Sequence, residues 1–209
     1  MNIDLDKANS ELKGKHPQEI VRWAAAQDGK CIVTTNFGPY EAVILHMAVQ
    51  ARPDMEVVWI DSGYFTEATY RFAHNLIESM KLNLTVYSPI WTKAYRDVVM
   101  GGTPGLESPN FEAFADQVKL EPFNRAMREI APDIWLTAIR KEQTEVRGGL
   151  DVVTLDSRGI IKVAPVFHWT EKDMDAYLAE HGLPNETDYF DPTKVLSHRE
   201  CGLHIPASS

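Results

Sequence analysis

Short β-branched runs alternate with amphipathic segments of helical period along most of this chain, and this alternation limits its fold more than any other feature. The run over 31–35 (CIVTT) precedes a helical segment, and the run over 57–60 (VVWI) is apolar throughout, as in a strand covered on both faces. Strand–helix alternation predicts right-handed crossovers and an α/β fold with a mostly parallel sheet. The remaining predicted elements are strands at 84–87, 134–139, 152–155 and 160–163 and helices at 18–27, 40–50, 66–80, 121–130 and 170–180.

Length and charge exclude several classes of protein. We expect one catalytic domain over 1–184, because 209 residues suit a single α/β domain, and a flexible C-terminal tail over 185–209, which has no clear period. The formal charge of −9 disfavours nucleic acid and anionic membranes as partners. Two cysteines, a polar N-terminus and no long apolar stretch indicate a cytoplasmic chain without a disulfide framework or membrane span.

Two segments at predicted strand ends carry polar side chains, and ligands of parallel sheets bind at such ends. Segment 34–40 (TTNFGPY) combines hydroxyls and a glycine at a strand-to-helix turn, where backbone N–H groups suit phosphate or sulfate. An ordinary turn is the alternative. Segment 59–64 (WIDSGY) suits a nucleoside pocket, or else Asp61 or Ser62 caps a helix.

A third segment, 137–147 (TAIRKEQTEVR), groups three cations after the strand that begins at Ile134. Arginine binds phosphate or sulfate in a bidentate fashion, so this segment is a candidate anion-binding loop. A solvated loop in which Glu142 and Glu145 neutralise the cations is the alternative.

The C-terminal tail carries the second cysteine among basic side chains. Cys201 lies near Arg199, His198 and His204, and positive charge favours its thiolate form. A terminus with a chance cysteine, a three-ligand zinc site and a disulfide to Cys31 are the other interpretations. Cys31 opens an apolar strand and is interpreted as a buried structural thiol.

Residues 200–204 (ECGLH) resemble the signature of the assimilatory phosphoadenylyl-sulfate (PAPS) reductase family. Further segments agree with that family in the same order, so the resemblance covers about 30–204: TTNFGPYEAVILH, VVWIDSGYFTEATYRF, KLNLTVY, KLEPFNRAM, AIRKEQTEVR and IIKVAPVFHWTEKDMDAYLAEHGLP. It implies a Rossmann-like sheet of the adenine-nucleotide α-hydrolase type. It also implies reduction of an activated sulfate to sulfite, with thioredoxin or glutaredoxin as electron donor and no bound cofactor or metal.

The resemblance also implies site residues. The family's cysteine corresponds to Cys201. Its phosphosulfate-binding loop corresponds to Thr34, Thr35, Asn36, Phe37 and Gly38. Its nucleoside-facing strand end corresponds to Trp59, Ile60, Asp61, Ser62 and Gly63. Its basic loop corresponds to Arg140, Lys141, Gln143 and Arg147. From the tail we add Arg199 and His204, and as further cations Lys119, Arg125 and Lys194.

This chain departs from the family pattern in three places. The first loop begins with threonines in place of a serine run, and the basic loop has Arg140-Lys141 where relatives often have two arginines. Segment 185–197 is shorter than in many relatives, where a Gly-Asp-x-His-Thr-Thr-like stretch precedes the tail; Thr193 and Lys194 are its candidate substrate contacts. Relatives that reduce adenylyl sulfate (APS) usually bind a [4Fe–4S] cluster on paired cysteines, which two cysteines cannot supply.

The sequence therefore predicts a thioredoxin-dependent PAPS reductase of sulfate assimilation and cysteine biosynthesis, acting through a sulfonate on Cys201 and forming a homodimer. The alternatives are an APS reductase, an adenylating enzyme of the ATP-pyrophosphatase type, and a non-catalytic nucleotide sensor. The adenylating alternative lacks its Ser-Gly-Gly-x-Asp-Ser loop at 34–40.

Overall fold

The computed structural model describes residues 3–105, 107–143 and 150–193. The predictions that concern Arg147, Lys194, Arg199, Cys201 and His204 lie outside these residues. Within the described ranges the helices are α1 (Leu5–Leu12), α2 (Pro17–Ala25), α3 (Glu41–Ala51), α4 (Glu67–Met80), α5 (Lys93–Met100), α6 (Phe111–Ala115), α7 (Glu121–Ile130) and α8 (Glu171–His181). The strands are β1 (Cys31–Thr35), β2 (Glu56–Ile60), β3 (Asn83–Tyr87), β4 (Ile134–Leu136), β5 (Val153–Leu155) and β6 (Ile161–Val163).

The strands form one sheet in the order β3-β2-β1-β4-β6-β5. Every neighbouring pair is parallel except the β5–β6 hairpin, in which Thr154 lies opposite Lys162. The predicted mostly parallel sheet is therefore confirmed. The chain moves from β1 to β2 and β3 on one side and to β4 on the other, so the strand order reverses between β1 and β4. In open α/β sheets, ligands bind at such a reversal.

Helices cover both faces of the sheet. Ile32 and Val33 are adjacent in β1, both fully buried, and belong to different hydrophobic clusters because successive strand residues point to opposite faces. Val33 packs with residues of α1, α2, α3, α4 and α8, whereas Ile32 packs with Phe123 of α7. In the residues that the structure covers, no helix has the length and apolar character needed to cross a bilayer.

Helices α6 and α7 form one continuous right-handed path, joined by a π-helical segment at Asp116–Leu120. A π-helical turn inserts an extra residue and rotates the side chains that follow it, and such turns occur often at functional sites. Val118 and Lys119 lie within this segment.

Three parts of the fold differ from the sequence predictions. Helices α1, α5 and α6 are additional, and β4 ends at Leu136, three residues before the predicted end, because the chain leaves the sheet there. Residues 185–193, predicted to begin the tail, pack against the carboxyl ends of the strands. We call residues 185–193 the strap.

Candidate active site

A cleft of about 870 Å³, counting the space at its open mouth, lies at the carboxyl ends of β1, β2 and β4. It therefore lies at the reversal of strand order. Its walls come from the turn after β1, the end of β2, the π-helical segment, the chain after β4 and the strap. The lining residues are Thr34, Thr35, Asn36, Glu41, Ile60, Ser62, Phe65, Val118, Lys119, Phe123, Trp135, Thr137, Ala138, Ile139, Gln143, Tyr189, Asp191 and Thr193.

The turn after β1 contributes side chains to the cleft, and four of its backbone N–H groups already have acceptors. The pairs are Phe37 N–H to Thr35 Oγ1 (2.9 Å), Gly38 N–H to Asn36 Oδ1 (3.0 Å), Tyr40 N–H to Asn185 Oδ1 (2.8 Å) and Glu41 N–H to the Gly38 carbonyl (3.2 Å). Position 39 is proline and has no N–H. An anion could use these four groups only by displacing an internal acceptor, and the predicted phosphosulfate-binding role of the loop stays a prediction.

Six side chains with hydroxyl groups line the cleft, and four of them lie at or just after the ends of β1, β2 and β4. Thr34 Oγ1 accepts from the indole N–H of Trp135 (2.8 Å), while the hydroxyls of Thr35 and Ser62 accept from backbone N–H groups. Thr137 Oγ1 is buried and has no partner among the described residues. Because a hydroxyl can donate one hydrogen bond while it accepts another, all four protons remain available to oxygen atoms of a ligand.

The predicted nucleoside-facing strand end divides into two groups. Ile60 and Ser62 line the cleft. Trp59 packs edge-on against Phe37 in the core, with ring centroids 4.9 Å apart, and neither side chain lies on the cleft. The side chains of Phe37 and Trp59 therefore pack in the core, and their substrate contacts stay a prediction.

Asp61 and Gly63 also lie outside the cleft lining. The Asp61 carboxylate accepts from the Tyr70 hydroxyl (2.7 Å) and from the Gly63 N–H (2.9 Å). Burial and this bond to Asp61 raise the pKa of Tyr70 well above its ordinary value, which keeps the phenol protonated. Gly63 has φ of 79° and faces the Cβ of Lys93 rather than the cleft.

The predicted basic loop reaches the cleft through Gln143. The Arg140 guanidinium is buried and lies 2.5 Å from Glu142 and 3.5 Å from Glu171, above the Tyr40 ring. Lys141 is exposed and its N–H donates to the Phe167 carbonyl. Arg140 is therefore neither solvated nor in the cleft lining, so its replacement would disturb packing as well as charge.

The strap crosses the cleft rim and is attached at several points. Asn185 Oδ1 accepts from the Tyr40 N–H at the start of α3, and the Thr66 hydroxyl donates to the Asp188 carbonyl (2.8 Å). The Tyr189 ring lies so close to Gly38 that a Cβ there would stand 3.2 Å from it. A larger residue at position 38 would therefore require the Tyr189 ring to shift.

The last strap contact is a buried ion pair. Lys119 Nζ contacts the carboxylate of Asp191 and lies 3.2 Å from the Thr193 hydroxyl. Burial alone would raise the pKa of Asp191, but the Lys119 ammonium and the bonds from Thr193 hold it below the ordinary value. Asp191 is therefore ionised at neutral pH.

The described lining contains little positive charge. Lys119 is its cation, whereas Glu41 and Asp191 supply two carboxylates. A polyanionic ligand would therefore need cations from elsewhere in the chain, and the sequence supplies them in 144–149 and 194–204. Within the described ranges, no group of three or more potential ligand side chains is arranged to hold a metal ion.

Sequence reasoning missed much of the cleft wall. Phe65, Trp135, Tyr189 and Asp191 line it but were not singled out, and Lys119 and Thr193 were secondary candidates. Thr137 stood inside a quoted segment without a role. The polar residue directly after a strand was an available signal for Thr137, whereas no local pattern marked Asp191.

The two cysteines have different environments. Cys31 is buried in β1, and burial raises the pKa of its thiol to about 12 although Arg52 acts in the opposite direction. An unreactive structural thiol follows, as the sequence predicted. Cys201 lies outside the described residues.

Comparisons with known proteins agree with one another. The family model described as the phosphoadenosine phosphosulfate reductase domain matches residues 30–190. A curated phosphoadenosine 5'-phosphosulfate reductase from Synechococcus is 37% identical over 182 residues, covering 86% of this chain and 78% of the relative. One of the same name from Synechocystis is 32% identical, covering 99% of this chain and 92% of the relative.

Solved structures give the same picture of the fold. A phosphoadenylyl-sulfate reductase from Candida auris, in a phosphate complex, superposes with a TM-score of 0.78 and 28% identity, over 89% of this chain and 91% of that one. An NH3-dependent NAD synthetase from Campylobacter jejuni has a TM-score of 0.53 at 11% identity, over 87% and 75% of the two chains. The second likeness shows the fold alone.

Proposed function

Because the chain belongs to the phosphoadenosine phosphosulfate reductase family, we propose that it reduces 3'-phosphoadenylyl sulfate to sulfite and adenosine 3',5'-bisphosphate, with thioredoxin as the reductant. The observation that carries this proposal is the hydroxyl-lined cleft at the reversal of strand order, whose lining lies within the matched residues except for Asp191 and Thr193. A site of this kind suits a nucleotide that bears several phosphate or sulfate oxygens.

The first chemical step uses the tail cysteine. The Cys201 thiolate attacks the sulfur atom of the phosphosulfate, a bond forms between the two sulfur atoms, and the bond between sulfur and the bridging oxygen breaks. Adenosine 3',5'-bisphosphate leaves with the electron pair on its phosphate oxygen, and a sulfonate stays on Cys201. The leaving phosphate needs no proton, so no general acid is required.

The second step releases sulfite. A thiolate of reduced thioredoxin attacks the Cys201 sulfur, and sulfite leaves with the electron pair of the sulfur–sulfur bond. The second thioredoxin thiol resolves the resulting mixed disulfide and regenerates the Cys201 thiolate. Thioredoxin brings both thiols, so one cysteine in this chain is sufficient. This chemistry requires reduced thiols, and we therefore place the reaction in the cytosol, as a step of sulfate assimilation towards cysteine.

The strap supports the delivery of Cys201 to the cleft. Thr193 lines the cleft, and Cys201 follows it by eight residues. A chain of that length spans up to about 26–29 Å when extended, which exceeds the dimensions of the cleft. The same segment carries Lys194, Arg199 and His204, so the approach of the nucleophile also brings positive charge to a cleft whose described lining has little.

The decisive experiment measures sulfite release from PAPS and from APS side by side, at matched concentrations and with thioredoxin supplied. We expect a clear preference for PAPS, because its 3'-phosphate adds charge that basic side chains can bind. Equal or faster turnover of APS would reverse the substrate assignment. Binding of either nucleotide without sulfite release would instead support a non-catalytic sensor.

A further inference from the structure

Thr34 and Thr137 lie on the same face of the sheet, at the ends of the neighbouring strands β1 and β4. Ile32 is the register partner of Trp135, and both pack in one hydrophobic cluster with Phe123 of α7. Side chains two positions further along a strand point to the same face. Thr34 and Thr137 therefore both point to the side of the sheet that α7 covers, next to each other across the two strands.

The hydroxyl of Thr137 is buried beside the cleft and lacks a partner. The residue is 2% exposed and lines the cleft, and its backbone N–H donates to the Val163 carbonyl of β6 (2.9 Å). Its Oγ1 atom has no hydrogen-bond partner among the described residues. Leaving a buried hydroxyl unpaired is unfavourable, and an unpaired polar group in a native protein requires an explanation. The cleft is the open space beside this side chain, so a molecule bound there can supply the missing partner.

The other three hydroxyls at the strand ends differ from Thr137 in one respect. Thr34 Oγ1 accepts from the Trp135 indole N–H (2.8 Å), and the hydroxyls of Thr35 and Ser62 accept from backbone N–H groups (2.9 and 3.3 Å). Each of these three oxygens already has a hydrogen bond before a ligand arrives. Ligand binding therefore changes the surroundings of the Thr137 hydroxyl more than those of the other three.

The neighbouring donors indicate which part of a ligand Thr137 contacts. Lys119 lies in the π-helical segment that leads into α7, and it lines the cleft. Its ammonium has three N–H groups, of which Asp191 and Thr193 take two among the described residues, so one remains for a ligand. The carboxylate of Glu41, in contrast, belongs to α3, which packs on the other face of the sheet. Hydroxyl protons beside an ammonium suit the oxygen atoms of an anionic group.

We propose that Thr137 is a substrate-binding residue whose hydroxyl donates a hydrogen bond to a non-bridging oxygen of the phosphosulfate group. Thr34 and Lys119 are the neighbouring donors, so this group lies on the α7 side of the sheet. The inference rests on the proposed function, because it assigns a contact to the substrate of that reaction. Thr137 exchanges no proton or electron pair with the substrate, and its contribution is to binding.

The test is a calorimetric titration of PAPS into the full chain carrying Cys201→Ser, which binds without turnover. Adding Thr137→Val replaces the hydroxyl by a methyl group, and we expect the dissociation constant to rise at least about tenfold, as for a lost hydrogen bond to a charged group. The midpoint of urea unfolding should not fall, because the removed hydroxyl has no partner among the described residues. Thr137→Ser keeps a hydroxyl and should bind within about threefold of the parent chain.

Thr154→Val is the matched control. The Thr154 hydroxyl is also buried without a partner in the described ranges, but it lies in β5 and outside the cleft lining, so binding should stay within about twofold.

Two further ligands locate the contact on the substrate. APS carries the phosphosulfate group without the 3'-phosphate, and Thr137→Val should weaken its binding by a similar factor. A loss confined to PAPS would assign Thr137 to the 3'-phosphate, and an equal loss for adenosine would assign it to the nucleoside; either result would overturn the inference. Unchanged binding of PAPS by Thr137→Val would overturn it as well. Tight binding of PAPS with no sulfite release by wild type would contradict the proposed function, while the titrations would still decide the role of Thr137.

Discussion

Two buried cations distinguish two regions of this molecule. At the cleft, Lys119 is paired with the Asp191 carboxylate, and both side chains are largely buried. Beneath α5, Arg96 is also buried, yet its described contacts are the Trp91 carbonyl and the Tyr64 ring, and its Nε and Nη1 atoms have no hydrogen-bond partner in the described ranges. The ammonium of Lys119 is therefore stabilised by a carboxylate. The guanidinium of Arg96 is buried without a counter-charge among the described residues, while Val98 and Val99 of the same helix are exposed.

The largest expected effect tests whether chemistry is confined to the cleft region. Cys201→Ser removes the proposed nucleophile, so we expect sulfite release to fall by about 10⁴-fold or more, with nucleotide binding and thermal stability nearly unchanged. Cys31→Ser is the control and should keep the chemistry. Mass spectrometry of wild type incubated with PAPS and no reductant should find one added SO3 group on the peptide containing Cys201, and thioredoxin should remove it. Turnover by Cys201→Ser would place the nucleophile elsewhere.

The second-largest expected effect concerns Lys119, which is paired with the Asp191 carboxylate. Lys119→Met leaves the Asp191 carboxylate buried without its counter-charge, so we expect a loss of about 3 kcal/mol in the free energy of unfolding, measured with urea. The double variant Lys119→Met/Asp191→Leu removes both charges and should recover most of that loss. If the double variant is no more stable than the single one, the two side chains are not coupled as the geometry indicates.

The same pair predicts a pH dependence. The pKa of Asp191 is lowered in the folded chain, so its contribution to stability is present above the unfolded pKa of about 3.9 and is lost as pH falls through the lower folded value. We expect the difference in unfolding free energy between wild type and Asp191→Asn to shrink below about pH 4. A difference that stays constant from neutral to strongly acidic pH would contradict this assignment.

The smallest expected effect concerns Arg96, which has no carboxylate partner among the described residues. Arg96→Met replaces a buried guanidinium, two of whose nitrogen atoms lack partners, by an apolar chain of similar length. We expect the free energy of unfolding to change by less than about 1 kcal/mol, or to increase, and sulfite release to be unchanged. A loss as large as that of Lys119→Met would show that Arg96 has a counter-charge, and the contrast between the two regions would fail.

The strands and helices of the sheet region were predictable because the sequence patterns that mark them each lie within one short segment. The strand over 31–35 and the helix over 121–130 have the predicted limits, since a β-branched run and a helical period are each read within one segment. The antiparallel hairpin followed from the turn at 157–159 in the same way. Helix α5 escaped prediction because its apolar residues face outward, although its own cap at Thr92 was visible.

The cleft was predictable only in part, because its walls meet over long sequence separations. Thr34 and Ser62 were found at strand ends, where polar residues point to a ligand, whereas Gln143 was implied by the resemblance of the basic loop. The Lys119–Asp191 pair spans 72 positions, and no local period relates its members. The sequence motif did not show that the side chain of Phe37 is in the core. Its neighbour Asn36 lines the cleft and its neighbour Gly38 lies in the turn.

The hydrogen bond between the Tyr40 N–H and Asn185 Oδ1 joins residues 145 positions apart, which affects the order in which the chain folds. Contacts of such long separation form after the local ones, because chain entropy is lost before they give stability in return. During synthesis, β1 and β2 can pair while the strap is still inside the ribosome. The amide of Tyr40 should accordingly gain protection from hydrogen exchange later than the amides of β1 in a refolding experiment. A partly synthesised chain thus has most of its sheet but no finished cleft, so the cleft proposed to bind the nucleotide is completed last.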